Sequence, residues 1–132
     1  MKRAASAVWN GDIKSGRGEV SSRSGALAEA HYAFASRFED GSGTNPEELV
    51  AAAQASCYAM ALSLVLGESG ENPEHINAEA AVTINAVHLD VSAVVPDVSE
   101  SDFQAAAEKT KTICPVSKLF NTDITLKPTL AG

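Results

Sequence analysis

Cysteine is scarce in this chain, with only two among 132 residues. A structural zinc site needs about four ligands, and the three histidines stand at no ligand spacing from either cysteine, so no metal is expected. Aromatic residues are also few, at 5% of the chain. The apolar fraction of 45% is nevertheless ordinary for a folded protein, so the sequence does not predict disorder.

Basic residues are outnumbered, with ten Lys and Arg against seventeen Asp and Glu and a net charge of −7. Nucleic acids and anionic membrane surfaces attract basic patches, so neither partner is expected. The opening Met1-Lys2-Arg3 is followed by no apolar run of the kind found in signal peptides, which makes the cytoplasm the expected compartment. Structural disulfides are rare there, and cysteines more often do redox chemistry or bind metals.

The longest apolar run covers residues 49–66 and approaches the length that crosses a membrane. Polar residues and many alanines weaken it, so we interpret it as the buried helix of a soluble protein. Asn45 is the predicted N-cap, Pro46 fits the first helical position and Glu48 completes a capping box. The helix is apolar on nearly every side, which favours a central position and a partner subunit. One stripe at helical spacing holds Leu49, Ala53, Cys57, Met60 and Leu64.

Alternating patterns predict strands on both sides of this helix. A change of phase near Asn85 predicts two strands joined by a tight turn or bulge. Ser99 is the predicted N-cap of a second helix, and a short helical turn is expected to begin at Cys114. The predicted strands cover residues 4–9, 19–22, 31–39, 123–128 and two segments within 76–95. This order of elements favours one α+β domain over residues 1–132.

Each cysteine reacts in proportion to its thiolate fraction, so the environment that sets its pKa decides its chemistry. Cys57 lies too far beyond Asn45 to feel the helix terminus, and apolar burial alone would raise its pKa. A cation would be needed, and Arg37 on the predicted third strand is the best candidate. Glu47 could hold the guanidinium through a bidentate contact. An ordinary surface position for Arg37 is an equal alternative.

Cys114 stands directly before Pro115, a residue favoured at the first position of a helix. Cys114 would then be an N-cap, where backbone amides favour a thiolate. From the residues alone, Cys114 is therefore the better nucleophile. A cysteine that merely caps a short helix is an equal alternative.

The two cysteine segments together resemble the family of osmotically inducible protein C and organic hydroperoxide resistance protein (OsmC/Ohr). The segments that carry the resemblance are Gly43-Thr44-Asn45-Pro46-Glu47-Glu48-Leu49, Ala55-Ser56-Cys57 with Met60-Ala61-Leu62-Ser63, and Cys114-Pro115-Val116-Ser117. Residues 9–14 and 37–39 are more similar to the OsmC branch. The resemblance extends over nearly the whole chain. It departs after Ile84, where the family hairpin usually has several more residues and this chain has only Asn85.

The resemblance implies antiparallel sheets around a long central helix, in an intertwined homodimer with active sites at the subunit interface. It also implies a peroxidase that reduces organic hydroperoxides and needs no cofactor. By this analogy Cys57 is the peroxidatic thiol and Cys114 the resolving thiol, which reverses the preference for Cys114. Arg37 would stabilise the Cys57 thiolate and polarise the peroxide, and Glu47 would orient Arg37.

The implied cycle forms a disulfide between the two cysteines, and an external dithiol then reduces it. The reductant would be a small molecule or a lipoyl-type protein. Two other classes of function stay open on the sequence. One is a redox sensor that signals through the same disulfide, and the other is a non-catalytic binding dimer whose cysteines only pack.

Overall fold

The protein is described by a computed structural model that covers residues 2–83 and 86–132, without the side chain of Pro115. By its contacts the chain divides into two compact units, Met1–Leu49 and Val50–Gly132. The elements, in chain order, are β1 (Ala5–Asn10), β2 (Arg17–Ser22), β3 (Ala30–Tyr32), α1 (Phe34–Phe38), α2 (Pro46–Glu68), β4 (His75–Thr83), β5 (Ala86–Val94), α3 (Glu100–Ile113), α4 (Pro115–Leu119) and β6 (Asp123–Leu130). This composition confirms the expected α+β class.

The first unit contains an antiparallel sheet in the order β1-β2-β3. The turn between β1 and β2 uses Gly11, whose φ of 95° is easily adopted by glycine. The carboxylate of Asp12 accepts hydrogen bonds from the backbone amides of Lys14 at 2.9 Å and Ser15 at 3.0 Å. These bonds stabilise the turn that joins β1 to β2.

The third strand is shorter than its alternating pattern predicts. β3 ends at Tyr32, and most of the remainder of the predicted strand 31–39 forms the short helix α1, so that part of the prediction is wrong. The cause lies in the hydroxyl of Ser36. It accepts a hydrogen bond from the backbone N–H of Ala33 at 2.9 Å and donates to the carbonyl of Thr44 at 2.8 Å. Such side-chain bonds give the backbone a local alternative to a sheet ladder.

The start of α2 is as predicted, with Pro46 as its first residue. The side-chain oxygen of Asn45 accepts a hydrogen bond from the amide of Glu48 at 2.8 Å, which is N-cap geometry. The side-chain amide of Asn45 also donates to the carbonyl of Ser36 at 2.9 Å. One asparagine therefore both caps α2 and attaches α1 to the start of that helix.

The buried side chains of α2 within one chain lie outside the apolar stripe named above. From that stripe, Met60 and Leu64 are 73% and 62% exposed. Two of the buried side chains carry polar atoms that find hydrogen-bond partners, so burial did not follow apolarity alone. The buried residues of α2 are Gln54, Tyr58, Leu62, Val65 and Leu66. By length and composition α2 also qualifies as a membrane span, a test that core helices of soluble proteins pass as well.

The second unit contains a sheet in the order β4-β5-β6. β4 and β5 pair in antiparallel fashion from His75 opposite Val94 to Thr83 opposite Ala86, which confirms the two predicted strands. The predicted turn or bulge near Asn85 lies outside the described residues. β5 and β6 pair in parallel, so this sheet is mixed where antiparallel sheets were expected. The connection through α3 and α4 is long enough for a parallel crossover.

One face of the mixed sheet packs with α2 and α3 to form the core of the second unit. The N-cap of α3 is Ser99, as predicted, since its hydroxyl accepts from the amide of Asp102 at 3.1 Å. Tyr58 links the two helices, because its hydroxyl donates to the carbonyl of Ala107 in α3 at 2.6 Å. The buried apolar residues of this core are Tyr58, Leu62, Leu66, Val87, Leu89, Val91, Ala93, Val95 and Phe103.

Removal of the Tyr58 hydroxyl should destabilise the protein. Tyr58→Phe is expected to lower the free energy of unfolding by about 1–2 kcal/mol, since a buried carbonyl loses its hydrogen-bond donor. Tyr32→Phe is the matched control, because the Tyr32 hydroxyl donates to the Val8 carbonyl in an exposed position. Urea unfolding followed by circular dichroism measures both. Equal effects of the two substitutions would contradict the role assigned to Tyr58.

Candidate functional site

The two cysteines, distant in sequence, meet in the second unit. The Sγ atom of Cys57 in α2 lies 3.3 Å from the Sγ atom of Cys114, and both residues are free thiols. Cys57 is partly exposed, whereas Cys114 has no exposed surface. A disulfide requires about 2 Å between the sulfurs, so a small movement would allow a bond to form.

The position of Cys114 is fixed by the junction of two helices. It is the C-cap of α3, where its amide donates to the Thr110 carbonyl at 2.9 Å, and the N-cap of α4, whose first residue is Pro115. The predicted N-cap position is therefore confirmed. Because proline lacks an amide hydrogen and continues easily into a helix, it suits a chain that ends one helix and begins another at the same residue.

Two opposing influences act on the Cys114 thiol. Burial is the largest single influence and by itself would raise the pKa of Cys114. The amides of Ser117 and Val116, the Cys57 thiol and the Ser117 hydroxyl all favour the anion, and together they hold the pKa of Cys114 below its ordinary value. The amides make no regular side-chain capping bond to the sulfur, so they act as a favourable field as much as by hydrogen bonds.

The Cys57 thiol shifts in the other direction. Burial raises the pKa of Cys57, and the amide of Val116 offsets only part of that increase. The neighbouring Cys114 raises it further, since two adjacent sulfurs do not both ionise readily. Either S–H group can donate across the 3.3 Å gap.

A buried polar pair adjoins the thiols. The side-chain amide of Gln54 donates to the Ser117 hydroxyl at 2.7 Å, and Gln54 has no exposed surface while Ser117 is 7% exposed. Gln54 precedes Cys57 by three residues in α2, and Ser117 follows Cys114 by three residues in α4. Each thiol therefore shares a helical face with one member of the pair.

The other two predicted site residues meet in the first unit. Arg37 lies in α1, not on a strand face with Ala33 and Ala35 as predicted. Its Nε donates to both carboxylate oxygens of Glu47, at 3.0 and 3.1 Å, and its Nη2 donates to one of them at 2.7 Å. This bidentate contact, which the sequence predicted, occupies the Nε–Nη2 edge of the guanidinium.

The ion pair shifts the pKa values of Arg37 and Glu47 so that the charged form of each is favoured. The hydrogen bond from Arg37 lowers the pKa of Glu47, and the bond to Glu47 raises that of Arg37. The side chains are 37% and 25% exposed, so water screens the attraction and the pair contributes little to stability. The guanidinium also lies over the ring of Phe38, with Cζ 5.1 Å from the ring centroid. These contacts hold a permanent cation in one orientation.

The predicted site residues thus form two pairs in separate units, with Arg37 and Glu47 in Met1–Leu49 and the cysteines in Val50–Gly132. A contact between the pairs stays a prediction. Within residues 2–83 and 86–132, no three His, Cys, Asp or Glu side chains are arranged to hold a metal ion.

Sequence reasoning missed Gln54, Ser117 and Ser36. The available signal for Gln54 was a lone amide inside an otherwise apolar helix, one turn before a cysteine. Ser117 was visible only as part of a motif, and Ser36 was placed on a strand face. Each of these side chains acts through a partner that is distant in sequence or through backbone geometry, which periodicity does not reveal.

Known proteins resemble this chain in both sequence and fold. Residues 39–129 match the OsmC-like protein family. Over 135 aligned residues the chain is 43% identical to peroxiredoxin OsmC of Escherichia coli, with 96% of this chain and 94% of that protein covered. It is 28% identical over 98 residues to an organic hydroperoxide resistance protein of Xanthomonas axonopodis pv. citri, with 69% of each covered.

The fold agrees with the sequence comparison. The crystal structure of an organic hydroperoxide resistance protein from Elizabethkingia anophelis matches with a TM-score of 0.70 and 24% identity, covering 100% of this chain and 98% of that one. The expected α+β OsmC/Ohr-like fold of the chain is therefore confirmed, whereas the homodimer stays a prediction. With a family match over most of its length, the chain belongs to the OsmC-like protein family.

Proposed function

We propose that this protein is a thiol-dependent peroxidase that reduces organic hydroperoxides to alcohols. The observation that carries the proposal is the 3.3 Å separation of two free thiols, one partly exposed and one buried. It agrees with the names of the relatives, a peroxiredoxin and an organic hydroperoxide resistance protein. A thiol pair of this kind can accept an oxygen atom at one sulfur and release it as water through the other.

Exposure supports Cys57 as the peroxidatic thiol. Cys57 is the partly exposed residue of the two, so a peroxide can approach it, whereas Cys114 has no exposed surface. The pKa directions alone favour Cys114 as the anion. We weigh access above pKa, because a thiolate that no peroxide reaches cannot react with one.

Because burial raises the pKa of Cys57, a cation is needed to stabilise its thiolate, and we propose Arg37 for that role. Its charge is permanent, and Glu47 already fixes its orientation through the Nε–Nη2 edge. The Nη1 group is the remaining edge of the guanidinium, suited to polarise a peroxide oxygen. We propose that the ion pair lies beside Cys57 in a homodimer, where the active site lies at the subunit interface.

The first chemical step is attack of the Cys57 thiolate on the distal peroxide oxygen. The O–O bond breaks, the alkoxide leaves and takes up a proton, and Cys57 becomes a sulfenic acid. Cys114 then attacks that sulfur, hydroxide leaves as water after protonation, and a Cys57–Cys114 disulfide forms. An external dithiol, either a small molecule or a lipoyl-type protein, reduces the disulfide by exchange.

The surroundings of Cys57 favour organic peroxides over hydrogen peroxide. Met60 and Leu64 follow Cys57 at helical spacing, and both are largely exposed within one chain. An alkyl tail buried against such side chains adds binding energy that hydrogen peroxide lacks. The same exposed side chains are the surface that we propose a second copy of the chain covers. We further propose that the two units act as one domain over residues 1–132, and that the protein works in the cytoplasm.

Substitution of each cysteine separates the two chemical steps. Cys57→Ser should abolish peroxide consumption. Cys114→Ser should allow one equivalent of alkyl hydroperoxide to produce a sulfenic acid at Cys57 and then stop before the disulfide. Intact mass after trapping of the sulfenic acid measures both outcomes, and Ser56→Ala on the exposed side of α2 is the control. Normal consumption by Cys57→Ser would exclude the proposed enzyme.

Turnover distinguishes a peroxidase from a redox sensor. With excess dithiol and alkyl hydroperoxide, a peroxidase should complete many cycles, and loss of peroxide is followed directly. A protein that forms the disulfide once and is then reduced only slowly would fit the sensor instead.

Replacement of Arg37 tests the cation. Arg37→Met should slow Cys57 oxidation at neutral pH by about tenfold or more, since each unit of pKa increase costs about a factor of ten in thiolate. The rate should recover as pH rises, because Cys57 then ionises without help. Glu47→Gln should have a smaller effect in the same direction.

Lys109→Met provides the control, because it removes a cation from the more exposed Lys109–Glu68 ion pair in the second unit. Stopped-flow oxidation over a range of pH values gives the rates. If Arg37→Met left the pH profile unchanged, the role assigned to Arg37 would be wrong.

A further inference from the structure

We propose that Gln54 and Ser117 form a positioning pair for the resolving step, in which Gln54 orients the Ser117 hydroxyl so that it donates to the Cys114 sulfur. The inference rests on the proposed function, because it concerns the attack of Cys114 on oxidised Cys57. Neither residue touches the peroxide in this scheme. Both act through Cys114.

The hydrogen bonds run in one direction through the pair. The Nε2 group of Gln54 donates to the Ser117 Oγ atom at 2.7 Å, so that oxygen acts as an acceptor. The single proton of the hydroxyl is then free to be donated elsewhere. Cys114 is the N-cap of α4 and Ser117 is the third residue of that helix, so the hydroxyl lies one turn from the thiol. We infer that the proton goes to the Cys114 sulfur, in agreement with Ser117 being among the groups that lower the pKa of Cys114. Gln54 and Cys114 are fully buried and Ser117 nearly so, which leaves little water to take over this role.

The orientation of the Gln54 amide is essential to this arrangement. In the opposite orientation, Oε1 of Gln54 would accept the Ser117 proton and the sulfur would lose its donor. In the observed orientation, Oε1 is buried and finds no hydrogen-bond partner within residues 2–83 and 86–132. A buried unpaired oxygen is costly, and an apolar side chain of similar size would avoid that cost. Packing alone therefore does not account for an amide at this position.

Other ionisable groups around Cys114 do not replace the hydroxyl. In the described parts of the chain, Cys57 and Tyr58 of α2 interact with the Cys114 charge. Burial raises the pKa of Tyr58, with a smaller contribution from Glu108 of α3, and its hydroxyl is engaged by the Ala107 carbonyl. Cys57 loses its S–H group once it becomes a sulfenic acid, and its sulfur is then the atom that Cys114 attacks. Ser117 then remains as a neutral side-chain donor to Cys114.

The Ser117 hydrogen bond should affect the second step of the cycle, in which Cys114 attacks the Cys57 sulfenic acid. The Cys114 thiolate supplies the electron pair for the new S–S bond, the S–O bond of the sulfenic acid breaks, and hydroxide leaves to become water after protonation. Cys114 is oxidised and the sulfenic sulfur is reduced. Because the thiolate is the attacking species, its fraction at a given pH sets the rate of this step.

The test isolates disulfide closure from peroxide attack. Reduced protein is mixed with one equivalent of an alkyl hydroperoxide, quenched at timed intervals with acid, alkylated and weighed intact. The sulfenic form is heavier by one oxygen atom, and the disulfide form is lighter by two hydrogen atoms. The parent protein is compared with Ser117→Ala, Ser117→Thr, Gln54→Met and the control Ser56→Ala across a range of pH values.

We expect Ser117→Ala to form the sulfenic acid at the parent rate and to close the disulfide about tenfold more slowly at neutral pH, the size of one hydrogen bond to a charged sulfur. Its closure rate should recover at higher pH. Ser117→Thr keeps the hydroxyl and should resemble the parent. Gln54→Met should shift the profile in the same direction as Ser117→Ala, because the hydroxyl is no longer oriented.

An unchanged closure profile in both Ser117→Ala and Gln54→Met would overturn the inference. So would a deficit in Ser117→Ala that Ser117→Thr shares, or one that is the same at every pH, since general loosening of the structure would produce either result. A parent protein that consumes no peroxide would instead overturn the proposed function. The two failures are therefore distinguishable.

Discussion

The burial of the Cys114 sulfur against Cys57 is the constraint on which the second unit depends. A sulfur anion removed from water has to be stabilised by protein groups, and here the amides of Val116 and Ser117, a hydroxyl and the second thiol supply that stabilisation. The end of α3, the proline at the start of α4 and the position of α2 all serve to bring these groups together. Displacement of any one of them would remove part of what offsets the effect of burial on the pKa of Cys114.

The same burial gives the two thiols different characters. Cys114 is shielded and biased toward the anion, whereas Cys57 is accessible and biased toward the neutral thiol. This difference suits the proposed two-step cycle. In that cycle Cys57 reacts with the peroxide first, and Cys114 then reacts with the oxidised Cys57. The raised pKa of Cys57 is the reason that we propose a cation for it.

In the first unit, neutral groups as well as Glu47 determine the orientation of Arg37, the cation that we propose for Cys57. The hydroxyl of Ser36 stabilises the start of α1 by accepting a hydrogen bond from the Ala33 amide, and the side chain of Asn45 attaches α1 to the start of α2. Arg37 and Glu47 stand on these two helices, so the cap and the short helix determine the geometry of the ion pair. Because the pair is partly exposed, its function depends on orientation more than on its contribution to stability.

The sequence alone was sufficient to predict the features that depend on single residues and short patterns. The N-caps at Asn45 and Ser99, the helix start at Pro115 and the two strands of the second hairpin follow from single residues and short patterns. Local rules failed for residues 34–38, where alternation indicated a strand and a serine hydroxyl produced a helix. They also did not indicate which side of α2 is buried within one chain, because Gln54 and Tyr58 are buried through partners elsewhere in the chain.

The tertiary structure determined the distance between the two cysteines and the exposure of each. Composition and spacing identified Cys57 and Cys114 as the residues of interest, and the family resemblance assigned them roles. Only the packing of α2 against the junction of α3 and α4 brought their sulfurs to 3.3 Å and made one accessible and the other sealed. Thiol chemistry depends on the distance between the sulfurs and on their exposure to water, and the order of residues along the chain does not give either quantity.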